Sequence, residues 1–205
     1  MEYAREDERI TLKIHGENTI AIAVTYHQIA DIFLEKSEYE TALEYAEKSK
    51  KIKEEKLGKN DPSTAADYYL FGKIYLALNE FDQALEYAEV AKRIEEVKLD
   101  KENLSIAYTY HLLGKIRFAL NEVDHAMQYA EAAKRIEEDK LGKEHPDTAR
   151  NYWLLGRILL KQGKPDDALQ FAAAAEKIQT EKLGSKHRHT KDTFNLLSDI
   201  YEAKS

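Results

Sequence analysis

The sequence predicts an all-α protein built as a solenoid of repeated helix–turn–helix units. Three observations predict this fold class: an internal repeat of 42 residues, apolar residues at helical spacing within each repeat, and little glycine or proline. The 205 residues include only 8 Gly and 3 Pro. Few positions therefore interrupt regular structure, which argues against a β-sandwich and against a disordered chain.

The repeat is clearest in a tripeptide that closes each unit. Lys-Leu-Gly occupies 56–58, 140–142 and 182–184, and Lys-Leu-Asp occupies 98–100, so each step is 42 residues. A regular period of this length is typical of stacked helical repeats. We assign four full repeats, a second helix of a truncated repeat before them, and a first helix or capping helix after them. The assigned ranges are 1–16, 17–58, 59–100, 101–142, 143–184 and 185–205.

Two alternatives remain open for this organisation. We expect the chain to be a segment of a longer array, and a short protein closed by two capping helices is the alternative. The second and third repeats share Ala-Lys-Arg-Ile-Glu-Glu at 91–96 and 133–138. This likeness indicates a recent duplication or a partly designed array.

Each repeat carries the pattern of two helices. In the second repeat, apolar residues recur three or four positions apart in two successive segments. They are Tyr68, Phe71, Tyr75 and Leu78 in the first segment, and Ala84, Tyr87, Ala88, Ala91 and Ile94 in the second. A short turn at Asn79-Glu80 separates them, and Gly163 holds the corresponding place later in the chain. Asparagine and glycine suit a left-handed turn residue there.

Helix starts fall at one position of the repeat. The residues there are Thr19, Asp61, Asn103, His145 and His187, and we expect them to cap the first helices. Pro62 and Pro146 directly follow two of them, as suits a first helical turn. Gly72, Gly114 and Gly156 lie inside first helices, where a glycine costs about 1 kcal/mol relative to alanine. We interpret them as points of close helix–helix approach.

These motifs resemble the tetratricopeptide repeat. The resemblance rests on Tyr68-x-x-Phe71-Gly72-x-x-Tyr75, Phe81-x-x-Ala84 and Ala91. The 42-residue period, with Lys-Leu-Gly-Lys-Glu-His-Pro-Asp-Thr-Ala at 140–149, looks like the variant found in kinesin light chains. The resemblance implies a right-handed superhelical solenoid whose first helices line a concave groove. It also implies a protein-binding scaffold that is not an enzyme.

Composition excludes several kinds of chemistry. The chain has no cysteine, which excludes disulfides, thiolate zinc sites and cysteine nucleophiles. A net charge of −7 argues against nucleic acid or an anionic membrane as a partner. No apolar run approaches the length of a membrane span, and the first residues are too charged for a signal peptide. We therefore expect a cytoplasmic protein.

The sequence contains no motif for a catalytic nucleophile, a phosphate loop or a metal site. We expect no cofactor and no metal, and we interpret the seven histidines as structural. The acidic pairs Glu95-Glu96 and Glu137-Glu138 lie among lysines and arginines. We expect them on a solvated outer face.

The resemblance also places a binding surface. In the family, the position just after the first aromatic of each first helix, and those four and eight residues further on, point into the groove. Transferred to this chain, the first of these positions gives the row His27, Tyr69, His111, Trp153 and Asn195, and the second gives Asp31, Lys73, Lys115, Arg157 and Asp199. An earlier row, three residues before the first, is Val24, Ala66, Tyr108, Arg150 and Asp192. Kinesin light chains typically carry Asn-Asn at two groove positions. The second of these is Leu70, Leu112, Leu154 or Leu196 in four of the five helices here, and we expect these leucines to make the groove more apolar.

The middle of the rows is aromatic and basic, whereas the ends are acidic or neutral. The residues that we expect to bind a partner are Tyr69, Lys73, Tyr108, His111, Lys115, Arg150, Trp153, Arg157 and Lys161. Such a surface suits an acidic protein segment or peptide with an aromatic or apolar anchor. The alternative for Trp153 is a stacking role between repeats, with solvated arginines beside it. Alternatives for the whole chain are self-association through open repeat ends and peptide sensing within a larger protein.

Overall fold

The computed structural model describes residues 2–16 and 18–205, and places ten α-helices in that part of the chain. They are α1 (Glu2–His15), α2 (Ile20–Glu35), α3 (Tyr39–Leu57), α4 (Pro62–Ala77), α5 (Phe81–Lys98), α6 (Leu104–Ala119), α7 (Val123–Lys140), α8 (Pro146–Lys161), α9 (Pro165–Leu183) and α10 (Arg188–Lys204). No strand occurs within the described residues. The all-α prediction is confirmed.

The chain divides into two compact units, which we call unit 1 (Met1–Asp100) and unit 2 (Lys101–Ser205). In unit 1, α2 packs on α3 and α4 packs on α5, while α3 joins the two pairs by packing on α4. In unit 2, α6 packs on α7 and α8 packs on α9, while α7 contacts α8 and α10 covers α9. Each unit is thus a stack of helix–turn–helix pairs.

The five capping predictions are confirmed. The side chain before each of α2, α4, α6, α8 and α10 accepts a hydrogen bond from a backbone N–H in the first helical turn. At the start of α8, the Nδ1 atom of His145 accepts from the N–H of Asp147 at 3.1 Å. His145 thus satisfies a helix donor that would otherwise lack a partner.

The left-handed turns between the helices of a pair are also present. Asn79 and Asn121 have φ of 61° and 63°, Gly163 has 72°, and Ser37 has 62° at the corresponding turn. Two residues later the chain enters the next helix. After Asn79, the N–H of Glu80 bonds back to the carbonyl of Tyr75 at 2.9 Å, which closes the end of α4.

Two of the helix glycines lie close to the backbone of the second helix of their own pair. A Cβ atom on Gly114 would lie 3.4 Å from the carbonyl oxygen of Ala126. A Cβ on Gly156 would lie 3.3 Å from the carbonyl oxygen of Ala168. Both contacts are with the backbone of the partner helix, so the prediction of close approach is confirmed at these two positions.

The leucines expected in the groove are instead part of the core. Leu70, Leu112, Leu154 and Leu196 are 1 to 4% exposed. They follow the first groove row by one residue, a rotation of about 100° around the helix. This rotation turns them towards neighbouring helices, and the expectation of a more apolar groove was wrong.

The acidic pairs are also not fully solvated. Glu95 and Glu137 are 4% and 2% exposed, whereas Glu96 is exposed and Glu138 is half-buried. The two buried acids share their repeat position with Lys53 and Gln179, which are buried as well. Lys53, Glu137 and Gln179 each face the first helix of the following repeat. The prediction of a solvated face was wrong for one member of each acidic pair.

Within the described residues, no helix is both long and apolar enough to cross a membrane.

Candidate partner-binding surface

The predicted binding residues fall into two groups. Tyr69 and Lys73 lie on α4 of unit 1, and the other seven lie on α6 and α8 of unit 2. We refer to the sides of α6, α8 and α10 that carry the predicted rows as the first-helix face of unit 2.

In unit 1, the predicted rows bring neighbouring repeats into contact. The ammonium group of Lys73 pairs with the carboxylate of Asp31, 42 residues earlier, and lies 5.7 Å from the centre of the Tyr69 ring. In the row that includes Tyr69, Nδ1 of His27 lies 2.6 Å from the carboxylate of Asp67 on α4. The charge of Lys73 is therefore already matched within unit 1.

In unit 2, the central feature is a cation that contacts two aromatic rings. The guanidinium carbon of Arg157 lies 4.8 Å from the centre of the Phe118 ring and 5.0 Å from that of Trp153. We call these three residues the arginine stack. Arg157 is exposed, and it forms no salt bridge with the described residues. A guanidinium stacked on aromatic faces keeps its N–H edges available for a carboxylate.

Trp153 packs between helices and remains partly exposed. Its indole N–H donates to the backbone oxygen of Asp192 at 3.2 Å, and its ring packs against the apolar clusters around α8 and α9. The ring is nevertheless only half-buried. Trp153 is therefore anchored between α8 and α10 and still presents part of its surface.

Tyr108 and Arg150 share one carboxylate. The hydroxyl of Tyr108 donates to one oxygen of Asp147 at 3.2 Å, and Arg150 donates to the other, also at 3.2 Å. Burial and the charge of Asp147 raise the pKa of the Tyr108 hydroxyl. Both side chains remain half-buried, so they are oriented by Asp147 and partly accessible.

His111 lies deeper than the other predicted binding residues. It is 9% exposed, and its Nδ1 atom lies 3.3 Å from the amide oxygen of Asn151. Burial, together with the charges of Arg150 and Lys115, lowers the pKa of His111 well below its ordinary value. His111 is therefore neutral near pH 7, and its ring is a buried part of the candidate surface.

A cavity of about 130 Å³ opens beside the arginine stack. Its lining residues are His111, Lys115, Arg150, Trp153, Gln179, Arg188, His189 and Asp192. Four of them belong to the predicted binding set. Lys161, the last predicted residue, is exposed at the end of α8.

Sequence reasoning missed Phe118, Gln179, Arg188 and His189. Phe118 lies seven residues after His111 on α6, and this spacing of about two helical turns was a usable signal. Gln179 lies on a second helix, outside the transferred rows. Arg188 and His189 follow the cap residue His187. Sequence reasoning assigned that segment to the start of a helix and did not consider it for binding. The described residues contain no group of three or more His, Cys, Asp or Glu side chains arranged to hold a metal ion.

The comparisons with known proteins agree on one family. The model of the family described as "Tetratricopeptide repeat" matches residues 14–96 and 105–181, which together exceed half of the chain. No curated protein matches the sequence.

Several solved structures share the fold. BtubC (BKLC) from P. vanneervenii superposes with a TM-score of 0.78 at 20% identity, over 99% of this chain and 81% of that one. A putative kinesin light chain from Podospora anserina, with nearly identical TPR-like repeats, gives 0.70 at 23% identity, over 88% and 85%. Aspartyl phosphate phosphatase F from Bacillus subtilis gives 0.76 at 16% identity. This chain spans about half of that phosphatase, with coverage of 99% and 52%.

Proposed function

We propose that this chain, which belongs to the tetratricopeptide repeat family, is a protein-binding scaffold. Repeats of this family generally mediate protein–protein interaction. In the proposal, the first-helix face of unit 2 binds an acidic segment of a partner protein. In this proposal the segment also carries an aromatic or apolar anchor. The chain acts by binding and not by catalysis, as is typical of scaffolds of this repeat class.

The arginine stack is the observation that carries the proposal. The guanidinium of Arg157 contacts the rings of both Phe118 and Trp153, and these contacts reduce the conformational freedom that binding would otherwise remove. A carboxylate of the partner would accept two N–H bonds from the edge of the guanidinium. An apolar or aromatic side chain beside it would cover the exposed part of Trp153. Such rigid aromatic and arginine anchors are the residue types that dominate binding energy at protein interfaces.

The test is a selection of peptides from an unbiased display library on the purified chain. We expect the selected peptides to combine aspartate or glutamate with an aromatic or large apolar residue. Their binding should be lost with the double variant Trp153→Ala/Arg157→Glu. The matched control is Arg135→Glu, which makes the same charge change at an exposed position of α7, and it should bind as the wild type does.

Two results would contradict the proposal. One is a set of selected peptides without acidic residues. The other is equal binding by the wild type and the Trp153→Ala/Arg157→Glu variant, once circular dichroism has shown equal helicity. Either result would move the binding surface away from the arginine stack.

Two exposed aromatic side chains on α10 favour self-association as a second candidate function. Phe194 and Tyr201 on α10 are 40% and 58% exposed. The residues at the same repeat positions on α8, Tyr152 and Leu159, are 6% and 8% exposed because they are part of the core. Sedimentation over a range of concentrations tests this candidate: self-association requires a concentration-dependent mass that Phe194→Ser/Tyr201→Ser abolishes.

A further inference from the structure

The cavity beside the arginine stack collects hydrogen-bond donors from four helices of unit 2. Lys115 comes from α6, Arg150 and Trp153 from α8, Gln179 from α9, and Arg188 and His189 from the first turn of α10. A volume of about 130 Å³ is many times the roughly 10–15 Å³ that a single water needs. The space therefore admits a small polyatomic group.

The charges around the cavity favour an anion. Lys115, Arg150 and Arg188 contribute three cationic side chains. The facing carboxylates are Asp192 in the wall and Asp147, which lies behind Arg150 at 3.2 Å. The cavity also opens at the N-terminus of α10, a helix of 17 residues, where the helix dipole adds positive potential.

The two histidines respond to the same positive potential. Burial, followed by the charge of Arg150, lowers the pKa of His189 to about 4. The same two causes lower that of His111. Both rings are therefore neutral near pH 7, and a neutral imidazole carries one N–H. That of His111 faces the amide oxygen of Asn151, which leaves His189 as the histidine that can donate to an acceptor in the cavity.

A buried amide completes the wall. Gln179 is 1% exposed, and its side-chain oxygen accepts from the hydroxyl of Thr193 at 2.7 Å. Gln179 also lines the cavity, so a polar side chain forms the part of the wall that α9 contributes.

We propose that this cavity is an oxyanion pocket that receives the phosphate group of a phosphorylated side chain in the bound segment. The proposal rests on the proposed function, because the segment must lie along the first-helix face of unit 2 to present that group. The phosphate group of a phosphorylated side chain carries three terminal acceptor oxygens on a tetrahedral phosphorus, which suits donors that converge from four helices. A carboxylate offers two oxygens in one plane and would leave part of the donor set without partners.

Trp153 makes the test direct, since it is the single tryptophan of the chain and lines the cavity. Its fluorescence is followed while N-acetyl-phosphoserine amide or N-acetyl-glutamate amide is added at pH 7.5 and constant ionic strength. We expect a saturable change with both probes and a dissociation constant at least tenfold lower for the phosphoserine probe. Arg188→Gln should raise that constant at least tenfold. Arg135→Gln, an exposed change of the same kind on α7, should leave it unaltered.

Arg188 is exposed, so its substitution leaves the core untouched and failure to fold does not confuse the result. The inference is overturned if the phosphoserine probe does not bind, if both probes bind equally, or if Arg188→Gln and Arg135→Gln behave alike. None of these results contradicts the proposed function. That function is tested separately, by the selected peptides and by the Trp153→Ala/Arg157→Glu variant.

Discussion

The ammonium group of Lys53 donates to the carboxylate of Asp67 at 2.9 Å, and both side chains are buried. The same carboxylate accepts from Ser49 at 3.0 Å and lies 2.6 Å from Nδ1 of His27. At the equivalent positions of unit 2, Gln179 and Thr193 form a neutral hydrogen bond. Consecutive helices are thus joined at one repeat position by polar pairs that differ in charge.

The first prediction concerns replacing the charged pair Lys53–Asp67 by the neutral pair found at Gln179 and Thr193. Asp67→Thr should destabilise the chain by about 3–5 kcal/mol, because it leaves the charge of Lys53 buried without its partner. Adding Lys53→Gln reproduces the neutral pair of unit 2 and should recover most of that loss. Urea unfolding followed by circular dichroism measures both. A double variant as unstable as Asp67→Thr alone would contradict the assignment.

The second prediction concerns Glu137. Burial, with the charge of Asp147 behind it, raises the pKa of this carboxyl group to about 8, and its Oε2 atom has no hydrogen-bond partner. The folded chain therefore keeps a proton that the unfolded chain releases near its ordinary pKa of about 4.3. The contribution of Glu137 to stability is present below that value and is lost as the pH rises towards 8.

Glu137→Gln should remove this dependence. Between pH 5 and pH 8, the stability of the variant relative to the wild type should rise, by at most about 1.4 kcal/mol per pH unit. Glu131→Gln, at an exposed position of α7, is the control and should follow the wild type. Parallel curves for the wild type and Glu137→Gln would show that Glu137 does not stay protonated in the folded chain.

The third prediction concerns the left-handed turns. Ser37 has a φ of 62°, a conformation that costs a residue with a Cβ roughly 1–2 kcal/mol. Ser37→Gly should therefore stabilise the chain by about 0.5–1 kcal/mol, after the greater freedom of glycine in the unfolded chain is subtracted. Gly163→Ser, at the equivalent turn of unit 2, should lower stability by a similar amount. Thermal unfolding measures both, and changes of the same sign would contradict the prediction.

Local features of the fold were predictable because neighbouring residues determine them. Asp61 followed by Pro62 is sufficient to begin a helix, and Asn79 is sufficient to turn the chain. The period of 42 residues then repeats each local assignment. No distant contact is needed for these predictions, and the structure confirms them.

Burial at a single helix position was harder to predict. Glu137 and Glu138 are adjacent and chemically identical, yet only Glu137 faces the buried amide of Asn151 on α8. The packing angle between helices decides which of the two is buried, and charge patterning alone cannot supply that angle. Comparison across repeats was the unused signal, since Gln179, at the position of Glu137, is a neutral residue.

The binding surface was predictable in outline and not in detail. The transferred rows located Trp153 and Arg157, but Phe118 lies outside those rows. The cavity also depends on Gln179 and Arg188, which come from two further helices. These residues come together only when the helices pack, so their spacing along the sequence does not predict the cavity.

The most direct test of the central claim is the indole N–H resonance of Trp153 in a nuclear magnetic resonance titration with a selected acidic peptide. The account predicts a saturable shift of this resonance together with that of the Arg157 side chain. Backbone amides around Arg135 on α7, the second helix of the preceding repeat, should stay unchanged. If the peptide binds while the Trp153 resonance stays fixed and the α7 amides move, then the first-helix face of unit 2 is not the binding surface.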